Sequence, residues 1–147
     1  MKIALVGSAG GHLTELEMIF KDPLQGHDVF FITEKTPRTR KMKRAYLLKP
    51  FSYNPLPFIP AFFKVLQILK KEKPKMIITS GAEIAVPVIV SAKILGIKTL
   101  FIDDTMRVKT PTLAGKFCYP FSDYFLVQYP EMKKYYGKRA IFKGGLA

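Results

Sequence analysis

The apolar run Ile3 to Val6 empties directly into GSAGGHLTEL at residues 7–16. A short apolar strand, a glycine-rich turn and a helix start, in that order, form the opening unit of a parallel α/β sheet. Backbone N–H groups at such a turn and helix terminus face an anionic ligand. The order therefore predicts both a fold class and a binding site after the first strand.

The rest of the chain repeats the alternation. Strands are predicted over Lys2 to Val6, Asp28 to Thr33, Lys75 to Ser80, Lys98 to Asp103, Asp123 to Gln128 and Arg139 to Lys143. Helices are predicted over His12 to Phe20, Ala85 to Leu95 and Thr112 to Tyr119. Pro50, Pro55, Pro57 and Pro60 in FSYNPLPFIP predict an irregular arm over about residues 35–60. A helix from Ala61 to Glu72 then sets Phe62, Val65, Leu66 and Leu69 on one face, with Lys64, Gln67 and Lys71 on another. Continuous apolar strands separated by helices imply a parallel sheet covered on both faces, hence a Rossmann-like, doubly wound α/β fold. At 147 residues, 48% of them hydrophobic, the length prior gives one domain over residues 1–147.

Charge narrows the partners. The formal net charge is +13, and no acidic residue occurs from Lys35 to Lys71, a stretch that carries Arg40, Lys41, Lys43 and Arg44. Such a surface faces nucleic acid, an anionic bilayer or a phosphorylated substrate. Phe58 and Ile59, with Phe51, Tyr53 and Leu56, lie in the same arm. Two readings of these apolar groups stand: insertion between lipid headgroups beside the cations, or closure of the core. The longest apolar helix candidate, Glu83 to Leu95, is about 13 residues long where roughly 20 are needed to span a bilayer. The single cysteine, Cys118, and a Met1 that leads straight into a strand predict a reducing cytosol.

Ligands of parallel sheets bind beyond the carboxyl ends of the strands. Collected there are Ser8, Gly10, Gly11 and His12, then Glu34, then Gly81 and Glu83, then Asp103 and Arg107, then Gln128. Glycines at 7, 10 and 11 depart from the GxGxxG of dinucleotide sites, and no Gly-Lys-Ser or Gly-Lys-Thr closes a P-loop. His12 at a helix N-terminus is held toward the neutral imidazole by the helix dipole, the form that accepts a proton from a hydroxyl. A nearby diphosphate acts in the opposite sense, and a plain capping role for His12 stands beside the catalytic one. The sequence offers no Cys/His cluster for a metal, and neither a metal nor another cofactor is expected.

GSAGGHLTEL, then NPLPFIPAFFKVLQILKKEKPKMIITSGAEIAVP, then the run from Ile102 that holds Arg107, Gly115, Lys116, Tyr119, Asp123, Gln128 and Pro130, together resemble the acceptor-binding subunits of two-component GT-B glycosyltransferases. That group includes the eukaryotic asparagine-linked glycosylation subunit and the bacterial exopolysaccharide subunit PssD. More distantly, GSAGGH is similar to the glycine loop of MurG, the peptidoglycan glycosyltransferase. The resemblance implies the N-terminal half of a GT-B enzyme, inactive without a separate donor-binding subunit that holds most of the UDP-sugar. It also implies a lipid-linked saccharide acceptor, an anionic membrane surface, a peripheral place on the cytoplasmic face of the cell membrane, and inverting, metal-independent sugar transfer.

Carried over residue by residue, the resemblance makes His12 and Asp103 catalytic candidates. Ser8, Gly10, Gly11, Gly81, Glu83, Arg107 and Lys116 become candidates for holding the acceptor and its phosphates, and Gln128 for the partner interface. Asp103 stands where the family has glutamate, one methylene shorter, and Asp104 where it often has serine. Two other classes compete: a basic RNA-binding module, against which stands the lack of any RRM or KH pattern, and a self-sufficient nucleotide-binding enzyme. No nucleic-acid partner is expected on the resemblance.

Overall fold

The computed structural model describes residues 2–7, 26–37, 39–41, 44–48, 55–80, 84–102, 113–127 and 129–142. Among the described residues there are seven strands: β1 (Lys2–Val6), β2 (Asp28–Glu34), β3 (Ala45–Leu48), β4 (Met76–Thr79), β5 (Lys98–Ile102), β6 (Tyr124–Leu126) and β7 (Ala140–Ile141). All pair in parallel in one sheet of order β3-β2-β1-β4-β5-β6-β7. The order reverses direction between β1 and β4, as in Rossmann-like α/β folds. The described helices are α1 (Pro55–Glu72), α2 (Ala85–Leu95), α3 (Leu113–Cys118) and α4 (Lys133–Tyr136). The helix predicted over His12 to Phe20 lies outside the described residues.

Strand alternation divides the core between the two faces of the sheet. Ala4, Val6, Phe30, Ile32 and Ile77 pack on one face against Val65, Ile68 and Leu69 of α1 and Val88 and Ala92 of α2. Further along the same layer, Phe101 and Phe125 stack at 4.8 Å with rings 3° from parallel. Cys118 and the α2 residues Ala85, Val86 and Ile89 cover them. Ile3, Leu5, Ile78 and Ile102 form a third cluster, with Phe31, Leu100 and Leu126 packed on it. Each large apolar side chain buried in these clusters contributes about 1.5–3 kcal/mol.

The proline-rich segment is a correction to the sequence reading. FSYNPLPFIP is expected to form an irregular arm, yet α1 begins at Pro55 and runs through Pro60. The first four N–H groups of a helix have no intrahelical acceptor, so Pro55 and Pro57 forfeit no hydrogen bond. Pro60 forfeits one, and Val65, Ile68 and Leu69 downstream bury enough surface to offset it. The expected arm also holds β3, a strand that the sequence pattern does not announce. The connection from β2 to β3 takes only residues 35–44, and Arg44 closes it in a left-handed conformation with φ +53°.

One ionic cluster joins the amino ends of three strands to the end of α1. Glu72 accepts from Lys2 Nζ at 3.0 Å and from Tyr46 Oη at 2.5 Å, and Arg44 pairs with Asp28 at 2.6 Å. The hydrogen bonds from Tyr46 and then Lys2 hold the Glu72 carboxyl below its ordinary range, so it stays ionised at neutral pH and keeps both partners.

Candidate functional site

Parallel register brings the carboxyl ends of the strands to a common edge. Val6 pairs with both Ile32 and Thr79, Thr79 with Phe101, and Ile102 with Leu126. The ladder continues one residue further where Gly7 N–H donates to Ile32 O at 3.3 Å and Ser80 N–H to Val6 O at 3.3 Å. Val127 N–H donates to Ile141 O at 2.8 Å. Gly7, Ser80, Ile102 and Val127 lie on this edge, and the predicted site residues Ser8, Gly81, Asp103 and Gln128 follow them in the sequence. Those four, together with Gly10, Gly11, His12, Glu83 and Arg107, lie outside the described residues. The carboxyl ends of β1, β4, β5 and β6 thus share a single edge, across the β1–β4 switch where open parallel sheets take their ligands.

A small threonine motif shapes the same edge, and the sequence reading missed it. Thr39 is fully buried and donates from Oγ1 to Glu34 O at 2.6 Å while accepting from Thr36 N–H at 2.8 Å. Thr39 N–H returns a bond to Thr36 Oγ1 at 3.2 Å. The reciprocal pair ties the turn Thr39–Lys41 to the end of β2 and leaves Lys35 and Arg40 exposed there, two cations available to an anion. The Thr-x-x-Thr spacing after a strand is the local signal for this turn. Nearby, Thr33 is fully buried and its hydroxyl has no hydrogen-bond partner among the described residues.

The predicted membrane-contact residues separate. Arg40 is exposed at the carboxyl edge, whereas the Arg44 guanidinium turns back to Asp28 at the amino end of β2. Lys41 sits in the Thr39–Lys41 turn, and Lys43 lies outside the described residues. Phe58 belongs to the first turns of α1, where Ile59 is 54% exposed and Phe63, four residues on, is 58% exposed. Lys116 is exposed on α3. Burial pushes the Cys118 thiol up to about 12, so it stays protonated at neutral pH and offers no nucleophile.

Comparison with known proteins gives a consistent picture. The sequence model of the family described as "Oligosaccharide biosynthesis protein Alg14 like" matches residues 19–146. The UDP-N-acetylglucosamine transferase subunit ALG14 of Rattus norvegicus is 28% identical over 133 residues, covering 86% of this chain and 59% of that protein. A UDP-N-acetylglucosamine–N-acetylmuramyl-(pentapeptide) pyrophosphoryl-undecaprenol N-acetylglucosamine transferase of Clostridium novyi is 27% identical over 146 residues, covering 88% of this chain and 40% of that protein. Among solved structures, MurG of Acinetobacter baumannii superposes with a TM-score of 0.79 at 15% identity, over 100% of this chain and 47% of that one. The last likeness speaks to the fold. The chain spans about half the length of these relatives.

Proposed function

Since the chain belongs to the Alg14-like family of oligosaccharide biosynthesis proteins, we propose that it is the acceptor-binding half of a two-part glycosyltransferase. Its substrate on this reading is a lipid-diphosphate-linked saccharide, and the sugar, N-acetylglucosamine or a uronic acid, arrives as a UDP-sugar held by a separate donor-binding subunit. The observation that supports the reading is the family match over residues 19–146 on a parallel sheet whose strands β1, β4, β5 and β6 end side by side at one edge.

An acceptor-sugar hydroxyl attacks the anomeric carbon, His12 takes the hydroxyl proton, the glycosidic bond forms, and the bond to the nucleotide breaks with UDP leaving as the anion. Attack opposite the leaving group inverts the anomeric centre. Gly10 and Gly11 offer backbone N–H groups to the lipid diphosphate, with Ser8, Gly81, Arg107 and Lys116 assisting, while Asp103 and Glu83 orient the acceptor. Gln128 belongs to the surface that meets the donor subunit, and residues 1–147 act as one acceptor-binding domain.

The test is reconstitution. The chain alone should transfer no sugar from UDP-N-acetylglucosamine or a UDP-uronic acid to a lipid-diphosphate acceptor, and activity should appear on adding the donor-binding subunit. Transfer by the isolated chain would overturn the half-enzyme reading.

Membrane attachment follows from the same proposal. Among the described residues no helix is long and apolar enough to cross a bilayer. Ile59 and Phe63 share an exposed stripe of α1 whose later turns carry Lys64, Lys70 and Lys71, the composition of a helix that lies in the headgroup plane. Binding to vesicles containing anionic lipid should weaken with salt. Ile59→Ser with Phe63→Ser should reduce it about tenfold or more, since each inserted side chain contributes on the order of 1.5–3 kcal/mol. Equal binding to neutral and anionic vesicles, or none to either, counts against this face.

A further inference from the structure

At the amino edge of the sheet, away from the proposed catalytic edge, the ends of α1 and α2 frame an open groove of about 330 Å³ lined by Leu69, Lys70, Lys73, Pro74, Leu95 and Ile97. Helix α1 runs between the two edges, which the five residues of β1 hold roughly 15 Å apart. The groove is thus a separate surface.

Its chemistry is two-part. The floor is aliphatic: Leu69 and Pro74 are buried, and Leu95 and Ile97 are half-buried. Exposed Lys70 and Lys73 stand on the rim. The flanking chain adds Lys75, Lys93 and Lys98, all exposed. Glu72, the carboxylate between the rim lysines in sequence, is already held by Lys2 and Tyr46. Asp28 and Asp123, at the starts of the neighbouring strands, are engaged by Arg44 and by Thr99 N–H. The cations of this collar are therefore available to an external acid.

Helix stabilisation accounts for part of the collar. Lys70 and Lys93 complement the dipoles of α1 and α2 from their last turns. Lys73 is different: it follows the helix with φ +50°, its N–H donating to Leu69 O at 2.9 Å. The same terminating role at the end of α2 is filled by Gly96, with φ +72° and open space where a Cβ would stand. Glycine would hold the first position without strain, so a lysine there keeps a cation at the rim at a conformational cost.

We propose that this groove is a docking site for an acidic, amphipathic segment of a partner protein, whose aliphatic side chains fill the floor while flanking carboxylates meet Lys70 and Lys73. Charge complementarity selects an acid. The groove is concave and its floor aliphatic, which suits a few side chains of a peptide; a bilayer is met by protruding groups such as Ile59 and Phe63, and single-stranded nucleic acid by aromatic platforms. The proposal stands whether or not the sugar-transfer reading holds.

The experiment is a titration of the full chain, followed by amide chemical shifts, with three synthetic peptides: an amphipathic Leu/Glu helix, its Leu/Lys counterpart and a Ser/Glu control. The Leu/Glu peptide should move the amides of Lys70, Lys73, Leu95 and Ile97 and bind roughly tenfold more tightly than either other peptide. Lys70→Glu with Lys73→Asp, both exposed positions and Asp tolerant of the left-handed backbone, should reverse the preference toward the Leu/Lys peptide. Ile97→Ser, which leaves the charges intact, should weaken Leu/Glu binding about tenfold. The proposal is overturned if the Leu/Glu peptide does not bind, if its shifts map instead to Arg40 and Ile59, or if neither variant weakens it. Protection of the same four amides by phosphatidylcholine/phosphatidylglycerol vesicles would assign the groove to a lipid surface and overturn it as well.

Discussion

In the reconstituted two-subunit enzyme, His12→Ala should lower turnover about a hundredfold or more, the usual contribution of a positioned general base. Removing an imidazole deletes none of the backbone bonds that pair β1 with its neighbours, so binding of the donor subunit should not change. The measurement is kcat at saturating acceptor, with partner affinity determined in parallel. Near-normal turnover would remove His12 from the chemistry and make Asp103→Asn the next variant, with Glu83→Gln after it. A loss of partner affinity alongside turnover would instead place His12 at the subunit interface.

The second large effect is on stability. Phe125 is 1% exposed and sits at the centre of an aromatic cluster: stacked on Phe101 at 4.8 Å, edge-on to Tyr119 at 5.1 Å, and 4.6 Å from Tyr136. Truncation to alanine leaves a cavity between β5, β6 and α3 and should cost about 3–5 kcal/mol. For a chain of 147 residues this corresponds to a fall in Tm of roughly 10–15 °C. Phe125→Leu, which keeps most of the volume, should cost far less. Thermal unfolding followed by circular dichroism separates the two, and a drop under about 3 °C for the alanine variant would show that the ring cluster is not close-packed.

Much of the sheet is legible in the sequence because its strands are buried on both faces and therefore read as unbroken apolar runs. Ile3 to Val6 and Val29 to Ile32, in the two strands that pair with each other, are such runs, and α2 is marked at its end by Gly96. Strand β3 is not legible. AYLL is short, three of its four residues are only half-buried, and it lies at the sheet edge, so its sequence carries little of the pressure that makes an inner strand recognisable. The start of α1 is hidden for another reason: proline reads as a breaker, yet in the first turn of a helix no N–H is needed.

The candidate site shows a similar division. The strand-end rule depends only on strand direction and so predicts a common edge beyond β1, β4, β5 and β6; Ser8, Gly81, Asp103 and Gln128, the residues it nominates there, lie outside the described residues. The separation of Arg40 from Arg44 does not follow from sequence. Four residues apart in one basic run, they part because Arg44 finds Asp28 and Glu72, partners 16 and 28 positions away. The Thr36–Thr39 motif is local and can be read from its spacing.

The neighbours of β1 impose an order of events on the ribosome. Its first partner, β2, ends at Glu34, but its second, β4, ends at Thr79, and the bond from Lys75 N–H to Lys2 O is equally late. The intervening stretch takes roughly 2–9 s to synthesise at about 5–20 residues per second. Throughout that interval β1, with its residues Ile3, Leu5 and Val6, has a partner on one side only at what will become an inner position of the sheet. Exposed strand edges of this kind recruit other chains, so the vulnerable moment in the life of this protein comes before β4 has been made.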